Sequence, residues 1–333
     1  AAMAGLSEEQ RTFFAENGYL QVEDVLSDAD LDAIEAEYTA ILDREIPRLV
    51  AEGKMAPEEP GLSFGERYTR AIGRLAQMYD LYQHLDISLP LLRAMAPDAT
   101  LNAGPAVFTH VLSNPRVLDI AESVLGPEIT CNPVQHTRIK PPKSRLDAGD
   151  ADSNIAKTNW HQDEAVLMEE VEIDMLTVWV AITDATLQNG CMIAVPGSHR
   201  NEEPLAIHCP GSGASSAEIY IPEDLIGRNV VPMPVRRGGI VLLHQRTVHG
   251  SLENGSDAIR WSFDLRYNVT GQPTGRGVFP SFVARSRAEP SSVMTDPEAY
   301  RRAWFEARDR LAAAGELDFN ERWGQYSAHP LCA

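Results

Sequence analysis

Ile259-Arg260-Trp261-Ser262-Phe263-Asp264-Leu265-Arg266-Tyr267 alternates apolar and polar side chains without a break over nine residues. Successive side chains of an extended chain point to opposite faces, so this period of two marks a β-strand with one apolar and one polar face. Working outward, Gly238-Gly239 turns into the apolar run Ile240-Val241-Leu242-Leu243. Further upstream, Thr177-Val178-Trp179-Val180-Ala181-Ile182 is near-continuously apolar and β-branched, as a strand buried on both faces should be. From about residue 129 the chain therefore reads as a succession of short strands. Two polar segments between them, 141–158 and 201–218, are long enough to be lids over a site.

The first half reads differently. Ser7 with Gln10, and Ser27 ahead of Leu31, Ile34, Tyr38, Ile41, Leu42 and Leu49, announce two capped helices with apolar stripes, the first stopped by Gly18. Further helices are predicted over 68–84, over 114–125 and over 296–314. Helices early and strands late give one α+β domain with a mainly β core, a sandwich or barrel wrapped by helices.

Composition narrows the partners. The chain has 333 residues, with 29 Lys and Arg against 48 Asp and Glu, a formal charge of −19. Such a surface repels polyanions, so nucleic acid and anionic membranes are not expected partners. No stretch approaches the length of an apolar membrane span. The opening AAMAGLSEEQ lacks the basic-then-apolar pattern of an export signal, and a cytoplasmic chain is expected. Cys131, Cys191, Cys209 and Cys332 show no CxxC spacing and are read as reduced thiols. Oligomeric state is not legible.

The chemistry concentrates in Trp160-His161-Gln162-Asp163-Glu164. His161 and Asp163 are two apart, so on an extended chain an imidazole and a carboxylate face the same way. His249, within the later run of strands, supplies a second imidazole. Two histidines and one carboxylate on one side of a metal form the facial set of non-haem Fe(II) oxygenases, which leaves coordination positions open. Arg260 lies on the polar face of the alternating strand, where a guanidinium grips a carboxylate through two parallel hydrogen bonds, or simply faces solvent. His244, an odd number of residues before His249, falls on the opposite strand face and is read as structural.

Several further motifs occur in the same order. They are His136-Thr137, Lys140-Pro141-Pro142, Asn189 through Arg200 (NGCMIAVPGSHR), Gly238-Gly239 and His249-Gly250-Ser251. Together with 160–163 and Arg260 they make the chain resemble the phytanoyl-CoA dioxygenase family of Fe(II)/2-oxoglutarate-dependent oxygenases. Residues 18–26 also look like the family's opening strand. The resemblance implies a double-stranded β-helix, or jelly roll, over 129–270. A mainly helical part would precede it over 1–128, and a helical extension would follow over 271–333, all within one oxygenase domain.

The resemblance also implies roles. His161, Asp163 and His249 map onto iron ligands, and Arg260 onto the residue that holds the far carboxylate of 2-oxoglutarate, with Ser251, Thr137 and Gln162 beside that co-substrate. Trp179, Glu164 and His136 fall at the substrate pocket. The implied cofactors are Fe(II), 2-oxoglutarate and O2. The implied reaction hydroxylates an unactivated C–H bond of a small organic molecule, with release of succinate and CO2. Asp163 occupies the position that halogenating relatives leave to chloride, which argues against halogenation. The residues alone also allow a zinc hydrolase using the same three ligands, or a jelly-roll binding protein without catalysis. Lys140, Lys143 and Arg145, and separately Arg236-Arg237, are read as solvated charge or as contacts for an anionic substrate.

Overall fold

A computed structural model describes residues 5–146, 156–201, 207–210, 219–317, 321–324 and 327–332. The lid expectation for the two polar segments falls largely on 147–155, 202–206 and 211–218, outside the described residues. Helix α1 (Glu8–Asn17) begins with the capping box of Ser7 and Gln10 and ends at Gly18 in the left-handed conformation. Strand β1 (Tyr19–Val22) follows directly, and α2 (Asp28–Ala51) opens with a second capping box on Ser27. The helix predicted over 68–84 is two helices, α3 (Phe64–Ile72) and α4 (Tyr79–Tyr82), because the chain leaves the helix at Gly73. A π-helical turn, Val107–Leu112, leads into α5 (Pro115–Leu125), whose N-cap Asn114 side chain accepts from the amides of Arg116 and Val117.

The strands then arrive in order: β2 (Glu128–Cys131), β3 (His136–Lys140), β4 (Met175–Ala181), β5 (Met192–Ala194), β6 (Cys209–Pro210), β7 (Ile219–Tyr220), β8 (Val231–Met233), β9 (Ile240–His244), β10 (His249–Ser251), β11 (Arg260–Val269) and β12 (Phe282–Ser286). Helices α6 (Pro297–Ala314) and α7 (Glu321–Gly324) close the chain. The seven-stranded main sheet runs β1-β9-β4-β11-β2-β12, with β3 also paired to β11, and all its pairings are antiparallel. A smaller sheet, β10-β5-β8, faces it. This is the jelly roll, a mainly antiparallel core dressed by helices. Its main sheet reaches beyond 129–270 at both ends, because β1 pairs with β9 and β12 with β2.

The register of β11 sets the two layers. Trp261, Phe263, Leu265 and Tyr267 point outward into the large core under α2, α3 and α5, where Phe64 stacks on Trp261 and Tyr38 lies edge-on to Phe263. Val178, Val180, Ile240 and Leu242 of the neighbouring strands join the same layer. Each such side chain contributes about 1.5–3 kcal/mol by leaving water, and truncating Phe263 to alanine should cost about 3–5 kcal/mol. Arg260, Ser262, Asp264 and Arg266 therefore point inward, between the two sheets, and none of them is solvent-facing. No helix among the described residues is long and apolar enough to cross a membrane.

The cysteine expectation is corrected. Cys209 and Cys332 form a disulfide across 123 residues of sequence, while Cys131 and Cys191 are free and buried. Partners this far apart leave no spacing signature, so only the tertiary fold pairs them. Lys140 is also not solvated charge: it is fully buried, and its ammonium donates to the Ser251 hydroxyl and to the Leu252 carbonyl.

Candidate metal centre

His161 and His249 lie opposite each other in an antiparallel bridge, exchanging backbone hydrogen bonds of 2.9 and 3.0 Å. Gly250, next in β10, lets the Thr158 carbonyl come within 2.9 Å of where a Cβ would stand, so any side chain there would push the 158–161 segment off His249. Gln162 is extended, and Asp163 opens a short 3-10 turn to Val166. The two-residue spacing thus turns His161 and Asp163 the same way. One ligand atom from each of His161, Asp163 and His249 lies within 4.8 Å of the others. The Nε2 atoms of His161 and His249 stand 3.3 and 3.7 Å from Asp163 Oδ1.

The surroundings prepare these groups to ligate. The Nδ1–H of His161 donates to the Asn159 carbonyl at 2.7 Å, and that of His249 to the Thr247 carbonyl at 2.8 Å. A carbonyl only accepts, so both Nδ1 atoms carry the proton and both Nε2 lone pairs are free. Burial, with His161 close by, pushes the His249 pKa down to about 4, so its imidazole is neutral at pH 7. Burial acts to raise the Asp163 carboxyl; Arg266, His249 and His161 outweigh it and hold the group well below the usual carboxylate range. Arg266 donates to Asp163 Oδ1 at 2.7 Å and the Thr177 hydroxyl to Oδ2, which fixes the carboxylate's rotation. Neutral imidazole and ionised carboxylate are the states a divalent metal needs.

A narrow cavity of about 10 Å3, the space of roughly one water, is lined by His161, His249, Trp179 and Arg260. Arg260 is fully buried with its guanidinium 5.1 Å from the Trp179 ring, and its Nε and Nη1 have no hydrogen-bond partner among the described residues. Lys140 is its register partner across β3 and β11. Two buried cations side by side repel, and burial together with Arg260 and Arg138 drives the Lys140 pKa well below its ordinary value. An anion between the triad and Arg260 would relieve both. A second cavity, about 450 Å3, shares Arg138, Thr158, His161 and Arg266 with the first and is further lined by His136, Arg276 and an apolar wall. Another concavity, about 1010 Å3, lies elsewhere, against α3 and Trp261, and shares no residue with the triad.

The remaining expectations divide. Trp179 reaches the narrow cavity and His136 the wider one, where it pairs with Asp86 at 3.1 Å. Ser251 is buried, and its hydroxyl accepts from Lys140 and from the Thr158 amide, so it meets Arg260's neighbour rather than the cavity. Thr137 is a correction: it faces the helical layer, where its hydroxyl bonds Tyr38 at 2.7 Å, because it shares the outward register of Phe263. Gln162 also turns away, its amide donating to the Arg246 carbonyl at 2.7 Å, since alternation sends it opposite to its two neighbours. Glu164, already inside the 3-10 turn, lines a separate surface hollow with Glu172 and Arg246. His244 packs on His199, away from the triad. Arg266 and Arg138, which line the narrow cavity, were missed as site residues. Arg266 was findable, being six residues beyond Arg260 on the same strand face.

The phytanoyl-CoA dioxygenase (PhyH) family model matches residues 14–262. The chain belongs to that family. The peroxisomal phytanoyl-CoA dioxygenase of Rattus norvegicus is 23% identical over 327 residues, covering 96% of this chain and 80% of its own. Phytanoyl-CoA dioxygenase domain-containing protein 1 of Mus musculus is 38% identical over 107 residues, 32% of this chain and 37% of its own. The chain thus spans little more than a third of the mouse, rat and bovine forms of that relative. Among solved structures, the non-heme monooxygenase ThoJ superposes with a TM-score of 0.55 at 18% identity, covering 91% of this chain and 97% of its own. The alpha ketoglutarate dependent carbocyclase SnoK superposes at 0.50 with 21% identity, covering 87% and 94%. These two likenesses show that this chain shares their fold.

Proposed function

We propose that the chain is an Fe(II)- and 2-oxoglutarate-dependent oxygenase that hydroxylates a C–H bond of a small organic molecule. The observation that carries the reading is the buried guanidinium of Arg260, whose Nε and Nη1 have no partner among the described residues and which lines one small cavity with His161 and His249. A zinc hydrolase has no use for that cation; a co-substrate with a distal carboxylate does.

His161, Asp163 and His249 would hold the metal, and Arg260 would take the far carboxylate of 2-oxoglutarate. Bound iron supplies activation of O2 coupled to decarboxylation of 2-oxoglutarate to succinate and CO2. The chain's own work is placement. Arg266 and Thr177 fix the Asp163 carboxylate, the Asn159 and Thr247 carbonyls fix the two imidazole tautomers, and Trp179 would wall the co-substrate from water. The wider cavity beyond His161 then receives the molecule to be oxidised, holding its reacting bond beside the metal face.

The test is succinate formation with added Fe(II) and 2-oxoglutarate under a small-molecule panel. Turnover should vanish in His161→Ala, Asp163→Ala and His249→Ala, and Arg260→Ala should raise the KM for 2-oxoglutarate more than it lowers kcat. Zinc-dependent turnover without oxygen uptake would overturn the proposal.

A further inference from the structure

The wall of the 450 Å3 cavity carries three arginines and one histidine, and Arg138, Arg266 and His136 each meet a carboxylate of the protein. Arg138 meets Asp264 at 2.7 Å, Arg266 meets Asp163 at 2.7 Å and His136 meets Asp86 at 3.1 Å. Among the described residues Arg276 has no such partner. It is buried, its Nε and Nη2 donate only to the Val166 carbonyl at 2.9 and 2.6 Å, and its Nη1 is left without any acceptor. Its nearest charged influence is another cation, Arg266, and burial pushes its pKa down to about 9.

The loop that carries Arg276 is stapled in place. The amides of Met168 and Glu169 donate to the Gly275 carbonyl at 2.9 and 3.2 Å, and Asn132 donates to the Thr274 carbonyl at 3.0 Å. Val166, the anchor of the guanidinium, ends the 3-10 turn that begins at Asp163. The cation is thereby held one turn from a metal ligand, with Tyr79, Tyr82, Leu91 and Leu92 forming apolar wall in the same cavity. A buried cation without a counter-charge is costly to maintain, and a ligand anion meets that need. Arg260 and Arg276 each line a cavity that His161 also lines, and each has a buried guanidinium nitrogen without a partner among the described residues.

We propose that Arg276 is the anion-binding residue of the substrate cavity, and that the molecule oxidised is a small organic acid with an apolar body. Its carboxylate, sulfonate or phosphate pairs with Arg276, and its body lies along the tyrosine and leucine wall. The inference rests on the oxygenase reading for the statement that this cavity is the substrate's. A volume of about 450 Å3 falls in the range of about 300–1,000 Å3 for small-molecule sites.

The experiment uses the full chain with Zn(II) and saturating 2-oxoglutarate, so that nothing turns over. Calorimetry or ligand-observed NMR measures 3-phenylpropanoate against 3-phenylpropanamide, hexanoate against hexanamide, and phenyl phosphate against phenol. At least one acid should bind about tenfold or more tightly than its neutral partner, as a charge-assisted contact provides. Arg276→Gln should level each pair, Arg276→Lys should keep a preference for the acid, and 2-oxoglutarate affinity should stay within about twofold in both.

Failure of every acid to outbind its neutral partner in the parent overturns the proposal, and so does a preference that survives in Arg276→Gln. Loss of 2-oxoglutarate binding in Arg276→Gln also overturns it, by moving Arg276 to the co-substrate. The comparison within the parent needs no variant, so a misfolded Arg276→Gln does not blunt the test. The two readings fail separately: a parent that discriminates acid from amide but binds no 2-oxoglutarate refutes the oxygenase reading and leaves Arg276 an anion site.

Discussion

Replacing Arg260 by methionine should make the ligand-free protein more stable while abolishing its response to 2-oxoglutarate. Burial lowers the Arg260 pKa from 12.5 to about 10. The folded state thus holds this proton less tightly than the unfolded chain, and the charged form opposes folding throughout the neutral range. At about 1.4 kcal/mol per tenfold change in proton affinity, the opposition amounts to ~3 kcal/mol. The guanidinium's contact with Trp179 at 5.1 Å returns about 0.5–2 kcal/mol of that, and methionine keeps most of the side-chain volume.

The net expectation is a gain of about 1–2 kcal/mol, or about 1–4 °C in Tm for a chain of this length. In the parent, 2-oxoglutarate at about a hundredfold over its Kd adds ~2.7 kcal/mol by mass action, and in Arg260→Met it should add nothing. The assay is thermal and urea unfolding with Zn(II), with and without 2-oxoglutarate. A variant that is less stable than the parent and still rises equally with 2-oxoglutarate would refute the claim that Arg260 is an unsatisfied cation waiting for that anion.

Asp163→Ala should lose the metal and also cost about 3–5 kcal/mol, because Arg266 then remains as an uncompensated buried charge; retention of stoichiometric iron by elemental analysis would contradict this. Reduction of Cys209–Cys332 should lower stability by about 3–5 kcal/mol, since the bond closes a loop over 123 residues. Thiol titration of the denatured chain should find two reactive thiols, Cys131 and Cys191, before reduction and four after it; four at the outset would exclude the bond. Burial, then the neighbouring His199 and Arg246, pushes the His244 pKa down to about 4. The unfolded chain therefore binds the extra proton between pH ~4 and ~6.5, so stability is full above that window and falls as pH drops through it, by at most about 2 kcal/mol between pH 7 and 5. Urea midpoints at the two pH values, compared with His244→Gln, should show a shallower slope in the variant; an unchanged slope would remove His244 from the account.

Much of the local structure was legible because it is local physics. Ser7 and Ser27 cap helices by bonding amides three residues on, and Gly18 ends one by adopting a left-handed conformation. Such signals act over a single turn and are written in adjacent residues. The predicted helix over 68–84 failed at Gly73, where apolar spacing continued and the backbone did not. β1 and β12 were left outside the core because short edge strands are defined by their partners, β9 and β2, far away in the chain. The triad was legible from residue types and the two-residue spacing. Thr137, Gln162 and Glu164 were misassigned because nearness in sequence to a ligand does not decide which face a side chain takes.

The alternation over 259–267 was fixed by the amino acids themselves: one apolar face, one polar face, in extended chain. Which of the two faces looks inward was not. The ordinary expectation sends the polar face to water, yet Arg260, Asp264 and Arg266 lie between the sheets while Trp261, Phe263 and Leu265 lie beneath the N-terminal helices. Burial depends on what the rest of the chain lays against a surface, and here α2 and α3, about two hundred residues earlier, cover the apolar face and leave the charged one enclosed. The tertiary structure alone thereby turns an amphipathic strand into the wall of a charged cavity, and leaves Arg260, buried on that wall, without a partner.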